Sequence, residues 1–262
     1  MTPEGPGVPT GSGPDGHARP VVLFDLDDTL MAHREAVDAG IALHLHERGY
    51  VADAASARAL WHELEERHYH AYLAGSLSFE GQRRARAAEF ALAHGETLDD
   101  ADAGAWFDRY FERYRESWAL HVDALPAMDA IERVLPGVRF GIITNGELDF
   151  QTAKLARLGL ATERFEHVVA SGAEGVAKPD RRLFGIAIER FAADAPVSGA
   201  AYVGDRLRTD AIGAAEAGLV GVWLNRSGEH PAETDAAAAR AAGVLEIRTL
   251  AELAPLLAAR LG

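Results

Sequence analysis

Cysteine is absent from all 262 residues. That excludes disulfides, thiol catalysis, and zinc or iron–sulfur sites held by cysteine. No apolar run approaches the ~20 residues needed to cross a bilayer. The N-terminus has neither a cationic stretch nor a hydrophobic core, so it does not read as a signal peptide. The expectation is a cytoplasmic protein with no membrane partner. Positive charge is scarce: 26 Lys and Arg face 40 Asp and Glu, for a formal net charge of -14. Nucleic-acid polymers need a basic surface, so they are not expected partners. A small anion held in a locally positive pocket is compatible with this balance.

Hydrophobic residues make up 48% of the chain, ample for a core. The length suits one α/β domain with an insertion, or two small domains. Residues 1–20 are rich in Gly, Pro, Thr and Ser without apolar periodicity, which predicts a disordered tail. The chain then runs Val21-Val22-Leu23-Phe24-Asp25-Leu26-Asp27-Asp28-Thr29-Leu30. Four consecutive apolar residues predict a strand buried on both faces. Open α/β folds place ligands where such strands end. Three carboxylates within four residues repel one another, and a shared cation would relieve them. A polar turn with solvated acids is the plainer alternative.

Residues 33–120 carry helical periodicity and no strand signal. Trp106, Phe107, Tyr110, Phe111, Tyr114 and Trp118 recur at three- and four-residue spacing, the pattern of a helical-bundle core. From residue 121 onward, short apolar runs alternate with amphipathic helices, which predicts a parallel sheet. The fold expected is α/β. A Rossmann-like parallel sheet with helices on both faces occupies 21–32 and 121–262, and an inserted α-helical cap occupies 33–120.

The predicted strand ends carry the polar chemistry. They offer Asp25, Asp27 and Thr29; Thr144 and Asn145; Lys178-Pro179-Asp180 in a loop; and Asp205 with Asp210. In a parallel sheet these ends share one edge. Singly, each has an ordinary account. Thr144-Asn145-Gly146 is a turn tripeptide, Lys178 suits a solvated loop, and Asp210 suits a helix cap. The ordered set is harder to explain that way.

In this set the chain resembles the haloacid dehalogenase-like superfamily of hydrolases. Asp25-Leu26-Asp27-Asp28-Thr29, Thr144-Asn145-Gly146, Lys178-Pro179-Asp180 and Gly204-Asp205 through Asp210 match its four motifs in order. The helical insertion falls where helical-cap members carry theirs. The resemblance spans residues 21–262 and implies a phosphatase acting on a small phosphorylated metabolite, as a monomer or homodimer. It implies Asp25 as nucleophile and Asp27 as general acid and base. Mg²⁺ would be held by Asp25, Asp205 and the Asp27 carbonyl. Thr144, Asn145 and Lys178 would bind the phosphoryl group, with Asp210 and Thr29 in support. Asp28 acquires no role. Dehalogenating members lack an aspartate two residues after the nucleophile, so Asp27 favours phosphate chemistry. No lysine lies between His33 and Leu120, against Schiff-base phosphonate cleavage. A phosphotransferase or phosphomutase, or a non-catalytic phosphate-responsive module, are the alternatives.

Within the cap, the segment 77–86 follows a glycine break and brings an aromatic, an amide and three arginines. Phe79, Gln82 and Arg83 or Arg86 are the candidates to read the leaving group. The competing reading is a solvated basic face paired to Glu80 and Glu89. His62, His68 and His70 are expected at the surface.

Overall fold

A computed structural model describes residues 17–50, 53–160 and 164–262. The expected tail lies outside these up to residue 16. Its last two residues do not behave as a tail, because Arg19 and Pro20 open β1 (Arg19–Phe24) by pairing with the 197–199 segment.

Four helices follow β1 directly: α1 (His33–Arg48), α2 (Ala54–Leu73), α3 (Phe79–Ala93) and α4 (Asp100–Glu116). Then come α5 (Ala124–Val134), β2 (Arg139–Thr144), α6 (Leu148–Arg157), β3 (His167–Ala170), the single turn α7 (Ser171–Glu174) and α8 (Arg181–Asp194). β4 (Val197–Gly204), a wide π-helical turn at Leu207–Ile212, α9 (Gly213–Glu216), β5 (Val220–Leu224), α10 (Glu233–Ala242), β6 (Leu245–Ile247) and α11 (Leu253–Leu261) complete the chain. The strand order is β3-β2-β1-β4-β5-β6, and every pairing is parallel. This is the Rossmann-like architecture, with β1 at the centre.

β1 needs its apolar run because both faces are covered. Val22 and Phe24 share a core with Met128 and Ile131 of α5 and with Leu253 and Leu257 of α11. Val21 and Leu23 turn the other way, into a cluster with Leu183, Phe184 and Phe191 of α8. The period-2 alternation of a strand thus distributes one continuous apolar run between two helical layers.

The helices α2, α3 and α4 begin where polar caps permit. Asp53 accepts from the Ser56 N–H, Ser78 from the Gly81 N–H and Asp99 from the Asp102 N–H, at 2.8, 2.9 and 2.8 Å. The aromatic stripe of α4 is buried against Trp61 of α2 and Phe90 of α3. α1 and α4 touch at Gly40, where a Cβ would lie 2.8 Å from the Tyr114 backbone.

Two expectations change. His68 is not a surface residue. It continues the inward row of Trp61 and Leu64 on α2 and is 8% exposed. Among the helices expected to alternate with strands, the one after β4 opens as the wide turn before the single turn α9.

Candidate active site

β1, β2 and β4 are neighbours, and their carboxyl ends meet at the centre of the sheet edge. The strand order reverses direction here, the place where open α/β sheets leave a crevice. Asp25 continues the β1 ladder, its N–H donating to the Val203 carbonyl at 2.8 Å. Its carboxylate is buried, and Oδ1 accepts from Lys178 Nζ at 2.6 Å. The same ammonium donates to Asp210 Oδ1 at 2.7 Å and to the Tyr202 hydroxyl at 2.6 Å. Lys178 is 6% exposed, so the reading of a solvated loop lysine does not hold. Three donor bonds satisfy the buried ammonium completely, and Asp210 and Asp25 raise its pKa despite burial.

Asn145 fixes where Lys178 stands. Its amide donates to the Lys178 carbonyl at 3.1 Å and accepts from the Lys178 N–H at 2.8 Å. Asp210 uses its second oxygen on the Arg206 N–H, at 2.9 Å, which ties it to the turn after β4. Gly204 is required beside it. A Cβ there would lie 2.4 Å from the Asp210 side chain.

Asp25, Asp205 and Asp210 each bring a carboxylate oxygen to within 4.8 Å of the others. Burial, then the neighbouring carboxylates, pushes Asp25 up to about 7 against the opposing effect of Lys178. Asp205 is raised well above its ordinary value for the same reasons, burial first. The Asp27 carbonyl accepts no hydrogen bond among the described residues. An oxygen-only donor set of this charge fits a hard divalent cation such as Mg²⁺. Asp25, Asp205 and Asp210 are the carboxylates close enough to one another to hold it.

Asp27 points into the same cavity but is gripped differently. Lys154 Nζ, from α6, donates to both of its oxygens at 2.7 and 2.8 Å. Gln151 Nε2 reaches Oδ2 at 3.4 Å, and His33 Nδ1 lies 3.7 Å from Oδ1. Burial opposes ionisation, but Lys154 and His33 outweigh it and hold the Asp27 carboxyl below its usual range.

Thr144 is buried at the end of β2 and lines the cavity with Asn145. Thr29 does not bond through its hydroxyl, which is buried without a partner among the described residues; its carbonyl accepts from Arg226 at 3.2 Å. Asp28, at a φ of 59°, also lines the cavity, and its Oδ1 accepts from the Arg34 N–H at 2.7 Å.

Above the sheet edge, α2, α3 and α4 close a cavity of about 380 Å³. Phe79, Gln82, Arg83 and Arg86 all line it, together with Tyr69, Tyr110 and Tyr114. Tyr69 donates to the Asn145 carbonyl at 3.1 Å and Tyr72 to Glu147 at 2.6 Å, which joins α2 to the loop after β2. Glu66 of α2 pairs with Arg206.

The two candidate arginines separate. Arg86 pairs with Glu65 at 2.8 Å and stacks 4.0 Å over Trp61, a neutralised pair inside the helical bundle. Arg83 pairs with Glu80 at 3.0 Å. Glu89 is engaged by Arg67 and His68 rather than by Arg86.

Neither Lys154 nor Tyr202 stands out in the sequence, because both sit mid-element, outside any motif. Lysine scarcity was the available signal, since Lys154 and Lys178 are the chain's only two lysines.

A family model described as haloacid dehalogenase-like hydrolase matches residues 20–218. The ribulose-1,5-bisphosphate 5-phosphatase of Halopiger xanaduensis is 33% identical over 242 residues, covering 90% of this chain and 98% of that one. The magnesium-bound HAD-hydrolase YfnB of Bacillus subtilis superposes with a TM-score of 0.73 at 21% identity, over 92% of this chain and 99% of its own. A 2-haloacid dehalogenase of Pseudomonas syringae is 26% identical with a TM-score of 0.59, over the same shares.

Proposed function

The chain belongs to the haloacid dehalogenase-like hydrolases, and from that premise we propose that it is a Mg²⁺-dependent phosphatase. It hydrolyses a small phosphomonoester through an aspartyl-phosphate on Asp25. The observation carrying this reading is the pairing of two unlike aspartates in one cavity. Asp25 is buried against Lys178, and Asp27 is partly exposed two residues on.

Oδ1 of Asp25 is occupied by Lys178. Oδ2 is therefore the oxygen that attacks phosphorus, forming the acyl-phosphate bond as the ester P–O bond breaks. The leaving alkoxide takes a proton from Asp27, which must first acquire one, so this step draws on the minority protonated form that Lys154 and His33 disfavour. Asp27, then ionised, removes a proton from water, which attacks the acyl-phosphate and releases inorganic phosphate and free Asp25. The Thr144 hydroxyl and the Asn145 N–H hold the phosphoryl oxygens, and Lys178, whose three N–H bonds go to Asp25, Tyr202 and Asp210, acts on them as a fixed positive charge. Mg²⁺, when bound, screens Asp25 from the phosphoryl group and offsets its charge. Asp210 and Asn145 keep Lys178 in place.

Asp27 also separates this reading from dehalogenation. Halide departure needs no proton, whereas an alkoxide does. A ribulose-1,5-bisphosphate 5-phosphatase at 33% identity and a glyceraldehyde 3-phosphate phosphatase at 31% each match more than three quarters of both chains.

Hydrolysis of an aryl phosphate, assayed with and without Mg²⁺, tests the proposal. Turnover should require the metal and vanish in Asp25→Asn, and acid-quenched enzyme should carry phosphate on Asp25. A folded wild type without turnover in either condition overturns it.

A further inference from the structure

Most cations of the cavity pair with carboxylates of its wall, and one that does not indicates the substrate's other end. Lys178 faces Asp25 and Asp210, Lys154 faces Asp27, Arg86 faces Glu65, and Arg206 faces Glu66. In each pair the carboxylate lines the same cavity as the cation.

Arg83 differs. Its one ion-pair partner among the described residues is Glu80, which is not part of the cavity wall and whose side chain is 60% exposed. The Arg83 side chain is itself only 14% exposed. Its guanidinium carbon lies 4.2 Å from the ring centre of Phe79, 4.7 Å from Phe111 and 5.3 Å from Phe107. Phe150 of α6 adds a fourth ring at 5.9 Å. The rings hold the guanidinium plane and exclude water from it.

A carboxylate or phosphoryl oxygen entering that apolar frame gains a charge-assisted bond in a poorly solvated place. The exposed Glu80 pair it displaces is worth little. Gln82, next in sequence on α3, is buried and lines the same cavity. Its side-chain amide offers a donor and an acceptor to that cavity. Arg34 also lines the cavity, but it is exposed and lacks an aromatic frame.

We infer that Arg83, with Gln82 lining the same cavity, binds a second anionic group carried by the leaving alcohol. The preferred substrates are then small phosphomonoesters that end in a carboxylate or a second phosphoryl group. This rests on the phosphatase reading and narrows it to a substrate class.

Two matched pairs test it on the Mg²⁺-loaded enzyme. Glycerol 3-phosphate against 3-phosphoglycerate changes a hydroxymethyl to a carboxylate. Fructose 6-phosphate against fructose 1,6-bisphosphate adds a phosphoryl group. Each compound is measured as a competitor of aryl phosphate hydrolysis. The anionic member of at least one pair should bind about tenfold to a hundredfold better; which pair responds separates carboxylate from phosphoryl recognition. Arg83→Gln should erase that preference and leave the neutral members within about threefold. Arg83→Lys should keep part of it. Glu80→Gln, which removes the competing carboxylate, should strengthen anionic binding. Equal binding within both pairs, or equal losses for both members in Arg83→Gln, overturns the inference. Should Arg83→Gln fail to fold, Arg83→Lys and Glu80→Gln decide the question in its place. If wild type does not cleave the aryl phosphate, the phosphatase reading fails on its own. Calorimetric titration of the same pairs then still decides whether Arg83 senses the distal anion.

Discussion

Lys154 Nζ chelates the Asp27 carboxylate, 2.7 and 2.8 Å from its two oxygens, and is itself almost fully buried. The contact favours the ionised carboxylate, the form needed to activate water in the second half of the proposed reaction. Removing the ammonium leaves burial, which acts the other way. Lys154→Met should therefore move the acid limb of kcat upward by about one pH unit or more. A pH–rate profile of the variant checks this. An unmoved limb would show that Lys154 does not govern Asp27.

Lys178 sits between two buried carboxylates, Asp25 and Asp210. Its removal leaves both without a counter-charge. Lys178→Met should cost about 3–5 kcal/mol of stability, as for other broken buried pairs. Turnover should fall by about 10³-fold or more, because a fixed charge at the phosphoryl group is lost. Adding Asp210→Asn to Lys178→Met should return part of the stability and none of the rate. Chemical denaturation and steady-state kinetics separate the two effects.

The residues legible in the sequence are those whose role depends on position along a strand. Asp25, Asp27, Thr144, Asn145 and Asp205 stand at or just beyond the ends of predictable apolar runs, and parallel topology alone brings such ends together. Lys154 and Tyr202 were not legible, because their partners come from packing. Lys154 meets Asp27 across 127 residues of chain, and Tyr202 meets Lys178 across 24. Arg83 and Arg86 look alike in sequence. The structure distinguishes them because Glu65, on a different helix, neutralises only one. The wide turn at Leu207–Ile212 has no local signature in the sequence either; it carries Asp210 against Gly204.

Carboxylate crowding also sets how the metal and pH act on stability. Asp25 is pushed up to about 7, and Asp205 is raised as well. A folded-state pKa above the unfolded one means that the folded form holds the proton more tightly. The contribution is then most favourable at low pH and is lost as pH rises from about 4 to about 7. Mg²⁺ needs the ionised forms, so it competes with protons there. At about a hundredfold excess over its Kd it should add about 2.7 kcal/mol, or ~5–10 °C in Tm. That gain should be full near pH 8 and much smaller near pH 5. Thermal melts with Mg²⁺ or a chelator at both pH values check it; equal gains would remove these carboxylates from the metal site.

Gly204 allows Asp210 to reach Lys178. A Cβ at this position would sit 2.4 Å from the Asp210 Cβ, well inside contact distance, while Gly204 is paired with Trp223 in the sheet and the Asp210 N–H donates to the Arg206 carbonyl at 2.8 Å. Gly204→Ala should therefore displace Asp210 from Lys178 Nζ and from the Arg206 N–H together. The expected cost is about 1–3 kcal/mol, the usual range for overpacking. The loss in kcat should exceed that in a surface Gly→Ala control. A double-mutant cycle isolates the cause, since Asp210→Gly removes the atoms that collide. In that background, Gly204→Ala should cost little further stability. If it costs as much as in wild type, the overlap with Asp210 is not what demands glycine at 204.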